Sequence, residues 1–275
     1  MAKKKYNILI NKCLLSENTK IPDNKNIILF EGQIAEDQRL SFHIDNSIKN
    51  IVFGSIQNMH KALRLKSQLC VNKNDLICYY HDLKVSDYLP FLLFHYLNFC
   101  NSYFKYPSQL NSDDFGKFIK SDSGEKVLTG QVFDDTLFQQ IFQKQAGVID
   151  SDLLFLAPRK NVLREFRFWV LDDKIITASE YSWEKEKEPL KEIPPRIYDY
   201  VKSILGTYTP AIGFTLDVGV VGSRDVPDMK PNVIYDSFQV LEFNSYSSSG
   251  FYGADVGKII DAVISYEELE FFDLD

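Results

Sequence analysis

Val240-Leu-Glu-Phe-Asn-Ser-Tyr-Ser-Ser-Ser-Gly250 is an apolar strand pattern interrupted by a carboxylate and an amide two residues apart. On a β-strand, residues i and i+2 project from one face, so Glu242 and Asn244 present oxygen ligands side by side, as hard cations require. Upstream, Ile212-Gly-Phe-Thr-Leu-Asp-Val-Gly-Val-Val221 reads as a second strand. It carries Asp217 in an apolar stretch, where an ionised carboxylate is costly without a partner or a metal. Asp217, Glu242 and Asn244 form an oxygen-rich set suited to Mg²⁺, which keeps waters and nucleotide phosphates in its octahedral shell. The structural alternative is a Glu242 that simply pairs with a basic residue at a strand end.

Further upstream, Lys117-Phe-Ile-Lys-Ser121 and Val127-Leu-Thr-Gly-Gln-Val-Phe133 read as two strands around the polar turn Asp122-Ser-Gly-Glu125. Lys120 and Lys126 flank that turn, where backbone N–H groups and ammonium charges can close over phosphates. Lysines at hairpin ends are equally at home as solvated scaffold. In Arg164-Glu-Phe-Arg-Phe-Trp-Val-Leu171, Glu165 and Arg167 share a strand face. Arg167 sits among bulky apolar residues and needs a carboxylate or phosphate partner, and an ion pair with Glu165 would satisfy both without a ligand.

Around these segments the chain reads as α/β (α+β). Residues 1–114 form an N-terminal α/β domain, with strands at Asn26–Phe30 and Lys49–Gly54, a helix from Ile56 to about Leu65, and an aromatic helix within Tyr88–Tyr106. Residues 115–275 form a second domain. Its expected elements are a helix over Asp135–Gln145 stopped by Gly147, strands at Leu153–Ala157, Phe166–Leu171 and Ile175–Ser179, and helices over Arg196–Leu205 and Gly253–Ser265. The charged run from Glu184, the segment Ser223–Ser237 and the acidic tail read as exposed.

The 275 residues carry a net charge of -7, which argues against an extended nucleic-acid surface. Cys13, Cys70, Cys78 and Cys100 show no CxxC spacing, and His43, His60, His81 and His95 add no metal-ligand cluster, so reduced core thiols are expected rather than zinc. A charged start without a long apolar run reads as neither a signal peptide nor a membrane span, and a cytoplasmic protein is expected.

In chain order, Phe118-Ile-Lys-Ser-Asp-Ser-Gly-Glu-Lys-Val-Leu-Thr-Gly130, Glu165-Phe-Arg-Phe-Trp-Val170 with the hairpin to Ser179, Asp217, and Glu242-Phe-Asn244 resemble the ATP-grasp superfamily of ATP-dependent ligases. In particular they resemble a small bacterial and phage clade in which arginine and lysine variations replace part of the phosphate-binding pattern. The match covers residues 115 to 265, and the N-terminal third is similar more loosely, through Phe53-Gly-Ser-Ile56. The resemblance implies an ATP-grasp fold of two α+β lobes clasping ATP, a lid-like lobe over 115–160 and a metal-binding lobe over 161–275. A pre-ATP-grasp-like domain would precede them. It implies ATP and Mg²⁺ as cofactors, with Lys120 and Lys126 near the phosphates, Glu165 in the nucleotide pocket, and Leu156, within Leu153–Pro158, meeting adenine through its backbone. Arg167 would lie near the γ-phosphate or acyl-phosphate, with Arg167 and Lys126 catalytic and Asp217, Glu242 and Asn244 on one or two Mg²⁺. Ser245–Gly250 would lie beside the acceptor. The implied reaction joins a small-molecule or peptide carboxylate, activated as an acyl-phosphate, to an amine or thiol. A phosphotransferase and a binding protein without turnover are the alternatives. Two departures stand out: Glu180 follows Ser179 where many relatives carry a base, and the Ser121–Thr129 turn is poor in glycine.

Overall fold

The computed structural model describes residues 6–17, 19–23, 26–31, 48–60, 76–92, 95–96, 101–183, 190, 192–221 and 237–270. The charged run from Glu184, the acidic tail, most of the Ser223–Ser237 segment, the helix from Ile56 beyond residue 60, and Cys70, Cys100 and His43 lie outside them.

The described strands form three four-stranded sheets. In the first, β1 (Tyr6–Asn11), β2 (Ile27–Phe30), β3 (Lys49–Phe53) and β4 (Leu76–Ile77) pair in parallel in the order β2-β1-β3-β4. Continuous apolar runs such as Ile8-Leu9-Ile10 suit a sheet covered on both faces. The polar residues within it satisfy one another: Asn7 donates to Asn50 at 3.1 Å and accepts from Asn26.

The aromatic segment expected as one helix divides. Helix α1 (Val85–Leu92) carries Pro90 inside it, and Tyr103–Lys105 is strand β5. With β6 (Phe118–Ser121), β7 (Gln131–Val132) and β8 (Leu154–Ala157) it makes the second sheet, antiparallel in the order β5-β8-β6-β7. The second strand of the expected hairpin shortens to Gln131–Val132, because Ser121 N–H and Oγ already engage Leu128 through the turn. Helix α2 (Asp135–Phe142) is capped by Asp134, which accepts from Leu137 N–H at 2.8 Å. It ends at Phe142, short of the expected Gln145, and Gly147 with φ 74° lies in the following turn. Leu137 and Ile141 cover Ile119, Leu154 and Leu156 of this sheet.

The third sheet holds the long strands β9 (Val162–Leu171), β10 (Lys174–Trp183), β11 (Gly213–Val221) and β12 (Ser237–Ser245), antiparallel in the order β10-β9-β11-β12. Asp172 and Asp173, at φ 50° and 57°, make the β9–β10 hairpin turn. Alternation divides β9 cleanly. Phe166, Phe168 and Val170 pack under helix α3 (Pro195–Leu205), while Trp169 and Leu171 face helix α4 (Val256–Glu270) and the first sheet. Glu165 and Arg167 therefore lie on the Trp169 face, at the end nearer the second sheet. Among the described residues no helix is long and apolar enough to cross a membrane.

Candidate active site

The third sheet lays its polar residues out as a row. Strand register sets Arg167 opposite Asp217 and Asp217 opposite Glu242, and directly opposed residues share a face. A bulge follows Asp217, and Asn244 is the next residue of β12 on the same face as Glu242.

Arg167 Nε and Nη2 donate to Asp217 Oδ1 and Oδ2 at 2.8 and 2.7 Å. Asp217 Oδ2 also accepts from Asn244 Nδ2 at 3.0 Å and from the Tyr181 hydroxyl at 3.3 Å. Asn244 Nδ2 donates in turn to Glu242 Oε1 at 3.1 Å. Arg167 Nη1 reaches the Gly250 carbonyl at 3.3 Å. Its guanidinium lies 5.2 and 5.0 Å from the ring centroids of Tyr181 and Tyr252, which stack on each other. Burial opposes the Arg167 charge, but Asp217 outweighs it and holds the guanidinium above its ordinary range.

The second sheet closes on this row with two lysines. Lys126 Nζ lies 2.9 Å from Glu242 Oε1 and Lys120 Nζ 3.4 Å from Oε2. Burial alone would raise the Glu242 pKa; the two ammonium groups overcome it and hold the carboxyl well below the usual range. Between the sheets opens a cavity of about 320 Å³ whose wall includes Phe118, Lys120, Lys126, Glu165, Tyr181 and Glu242. Burial pushes the Glu165 carboxyl above its ordinary range.

The turn between the lysines is braced from outside. Asp82 Oδ1 accepts from Ser123 Oγ at 2.8 Å and Gly124 N–H at 2.7 Å, and the Asp122 carboxylate accepts from Ser86 N–H and Oγ at 2.7 and 2.8 Å. Asp122 thereby serves the exposed amide end of α1 from a distant part of the chain. A β-carbon on Gly124 would lie 3.0 Å from Leu83 N and 3.2 Å from its carbonyl oxygen. Gly124→Ala should therefore push the turn off its brace, costing about 1–3 kcal/mol in urea unfolding, with weaker nucleotide binding in calorimetry.

Residues 101–262 match a family model described as an ATP-grasp domain, clade family 2. The chain belongs to this ATP-grasp family. Among solved structures, the fold is similar to D-alanyl-alanine synthetase A from Vibrio cholerae, with TM-score 0.53 and 9% identity over 97% of this chain and 99% of that one. It is similar to D-alanine–D-alanine ligase from Bacillus anthracis complexed with ATP, with TM-score 0.51 and 13% identity over 97% and 99%. A RimK domain ATP-grasp protein from Sphaerobacter thermophilus gives TM-score 0.51 and 8% identity over 94% and 98%. At these identities the likeness is one of fold. No curated protein matches the sequence.

The cofactors of the ATP-grasp domain are ATP and Mg²⁺, and the residues present suit them. Two ammonium groups face the cavity beside a carboxylate. Among the described residues no three His, Cys, Asp or Glu side chains form a cage of their own, so a cation at Glu242 would complete its shell with phosphate and water, as Mg²⁺ prefers.

Of the residues expected in the ATP-grasp site, Lys120, Lys126, Glu165 and Glu242 reach the cavity, and Asn244 stands behind Glu242. Arg167 and Asp217 do not line it; each is turned on the other, so Arg167's partner is Asp217 rather than Glu165. Leu156 needs correction. It lies mid-strand, paired to Tyr103 on one side and Ile119 on the other, with its side chain in the core of the second sheet. Past the end of β8, Arg159 and Lys160 line the cavity instead. Ser245, Ser247 and Ser249 are also spent internally. Tyr79 N–H donates to Ser247 Oγ at 2.7 Å, Ser245 Oγ donates to the Tyr79 carbonyl at 3.0 Å, and Ser249 Oγ donates to the Ser245 carbonyl at 2.8 Å. Glu180, the acid where relatives carry a base, pairs with Arg164 and accepts from Leu190 N–H. Tyr181, Tyr252, Asp82, Arg159 and Lys160 were not singled out by sequence. Tyr181 was within reach, being two residues from Ser179 on the strand face that meets Arg167.

Proposed function

We propose that this chain is a cytoplasmic, ATP- and Mg²⁺-dependent ligase that activates a carboxylate as an acyl-phosphate and joins it to an amine or thiol. The carboxylate belongs to a small molecule or a peptide. The observation that carries this reading is the convergence of Lys120 and Lys126 from one sheet on Glu242 of another, across the cavity. The ligases of similar fold support it, as does the division of the chain into an N-terminal α/β domain over 1–114 and an ATP-grasp domain over 115–275.

A carboxylate is a poor acylating agent because oxide is its leaving group; phosphorylation replaces oxide by phosphate, which an amine or thiol then displaces. Bound Mg²⁺ would neutralise charge on the transferring phosphoryl group. In this chain Lys120 and Lys126 would exchange Glu242 for phosphate oxygens, leaving Glu242 and the Asn244 amide oxygen to face the metal. Glu165 would contact the nucleotide from β9, and Arg159 and Lys160 would close the far end. Proximity supplies much of the rate, and the reaction calls for no protein nucleophile.

Calorimetry with ATP in the presence of Mg²⁺ should give a saturable heat in the wild type that Lys120→Ala weakens about tenfold, the loss of a charge-assisted contact. Mass spectrometry of acceptor mixtures should then show ATP-dependent condensation with release of ADP. Binding without ADP release across a broad acceptor screen would sink the ligase reading and leave a nucleotide-binding protein. A phosphorylated acceptor would point to a phosphotransferase.

A further inference from the structure

We infer that Asp217 positions the metal site without entering it, so that Glu242, with Asn244, holds Mg²⁺ in its place; the inference rests on the nucleotide reading above. Four donors already converge on Asp217: Arg167 Nε and Nη2 at 2.8 and 2.7 Å, Asn244 Nδ2 at 3.0 Å and the Tyr181 hydroxyl at 3.3 Å. The bidentate fork occupies both oxygens, and Asp217 is 0% exposed and absent from the cavity wall. Metal entry at Asp217 would strand the Arg167 guanidinium, itself 5% exposed, without its counter-ion. Among the described residues, the remaining hydrogen bond of Arg167 goes to the Gly250 carbonyl, not to a second carboxylate.

The geometry supplies a different task. Asp217 accepts from the same Asn244 nitrogen that donates to Glu242 Oε1, so Asp217 fixes the amide, and the amide aims the carboxylate. With its nitrogen on both acids, the Asn244 amide turns its oxygen elsewhere, where it can serve a cation. Glu242 is differently placed from Asp217: it lines the cavity, and its partners are the exchangeable ammonium groups of Lys120 and Lys126. One carboxylate and one amide make a weak site for the bare ion, which should enter only with the nucleotide's phosphates.

The test compares ATP affinity with and without Mg²⁺ by calorimetry in wild type, Glu242→Gln, Asp217→Asn and the apolar double replacement Arg167→Met/Asp217→Leu, with thermal unfolding alongside. The wild type should bind no measurable Mg²⁺ alone. The Mg²⁺-dependent gain in ATP affinity should stay within about threefold of wild type in Asp217→Asn and the double variant, and fall at least about tenfold in Glu242→Gln. An equal loss in a folded Asp217 variant would overturn the inference while leaving the nucleotide reading intact. A wild type that binds no ATP would overturn both. Should the Asp217 variants fail to fold, the wild type still decides: the Arg167 Nε–H resonance should keep its position and slow exchange when Mg²⁺ joins the ATP complex. Its collapse would show Asp217 leaving Arg167 for the metal.

Discussion

Glu242→Gln is expected to lower Mg²⁺-dependent ATP turnover on the order of 100-fold or more, the scale of losing a group that meets developing charge. The substitution keeps size and hydrogen bonding but removes the charge on which Lys120, Lys126 and, through Asn244, the buried pair all converge. ADP release in the presence of saturating ATP is the measurement, and a variant within tenfold of wild type would remove Glu242 from the chemistry. The same residue sets an acid limit. Its folded pKa lies below the ordinary carboxylate value, so the stability it contributes is fully present above about pH 4.5 and is lost as the pH falls through the depressed folded value. Wild-type stability should therefore fall more steeply below about pH 4 than that of Glu242→Gln.

Arg167→Met alone should cost about 3–5 kcal/mol in urea unfolding, the penalty for leaving a buried carboxylate without its cation. Asp217 would keep only Asn244 and Tyr181 as donors, deep in the face shared with Trp169. In that variant, burial unopposed by Arg167 raises the Asp217 pKa further above its unfolded value. Stability should then be greatest at low pH, where the acid is neutral, and decline as the pH rises through the raised pKa. The double variant Arg167→Met/Asp217→Leu should recover much of the loss, because removing both charges leaves no buried ion unpaired. A single variant as stable as wild type at neutral pH would mean that Asp217 finds another cation.

Strand faces were legible in the sequence because side chains alternate: Glu165 with Arg167 and Glu242 with Asn244 could be placed together from spacing alone. Partners across strands were not, since register depends on turns and bulges far from the residues they align. Asp217 was recognisable as a carboxylate in need of a partner, but that its partner is Arg167, 50 residues away, is fixed by the β9–β11 register. Leu156 illustrates the opposite difficulty. An apolar run ending at a proline reads equally as hinge or strand, and the pairing of β8 with both neighbours decides for the strand. Asp82 carried no signal because its role comes entirely from Gly124 and Ser123, beyond the helix that follows it.

The serine loop after β12 also bears on the order in which the chain folds. Ser247 takes the Tyr79 N–H across 168 residues of sequence and Ser245 binds the Tyr79 carbonyl across 166, while Gly54 N–H reaches the Ser247 carbonyl. The strands synthesised first thus acquire their seam only when almost the last strand has emerged. Such contacts close late and slowly, because long loops must be ordered before they are rewarded. A nascent chain halted before Ser245 should hold its earliest sheet unfinished, exposing to chaperones and proteases the apolar edge that the completed protein covers.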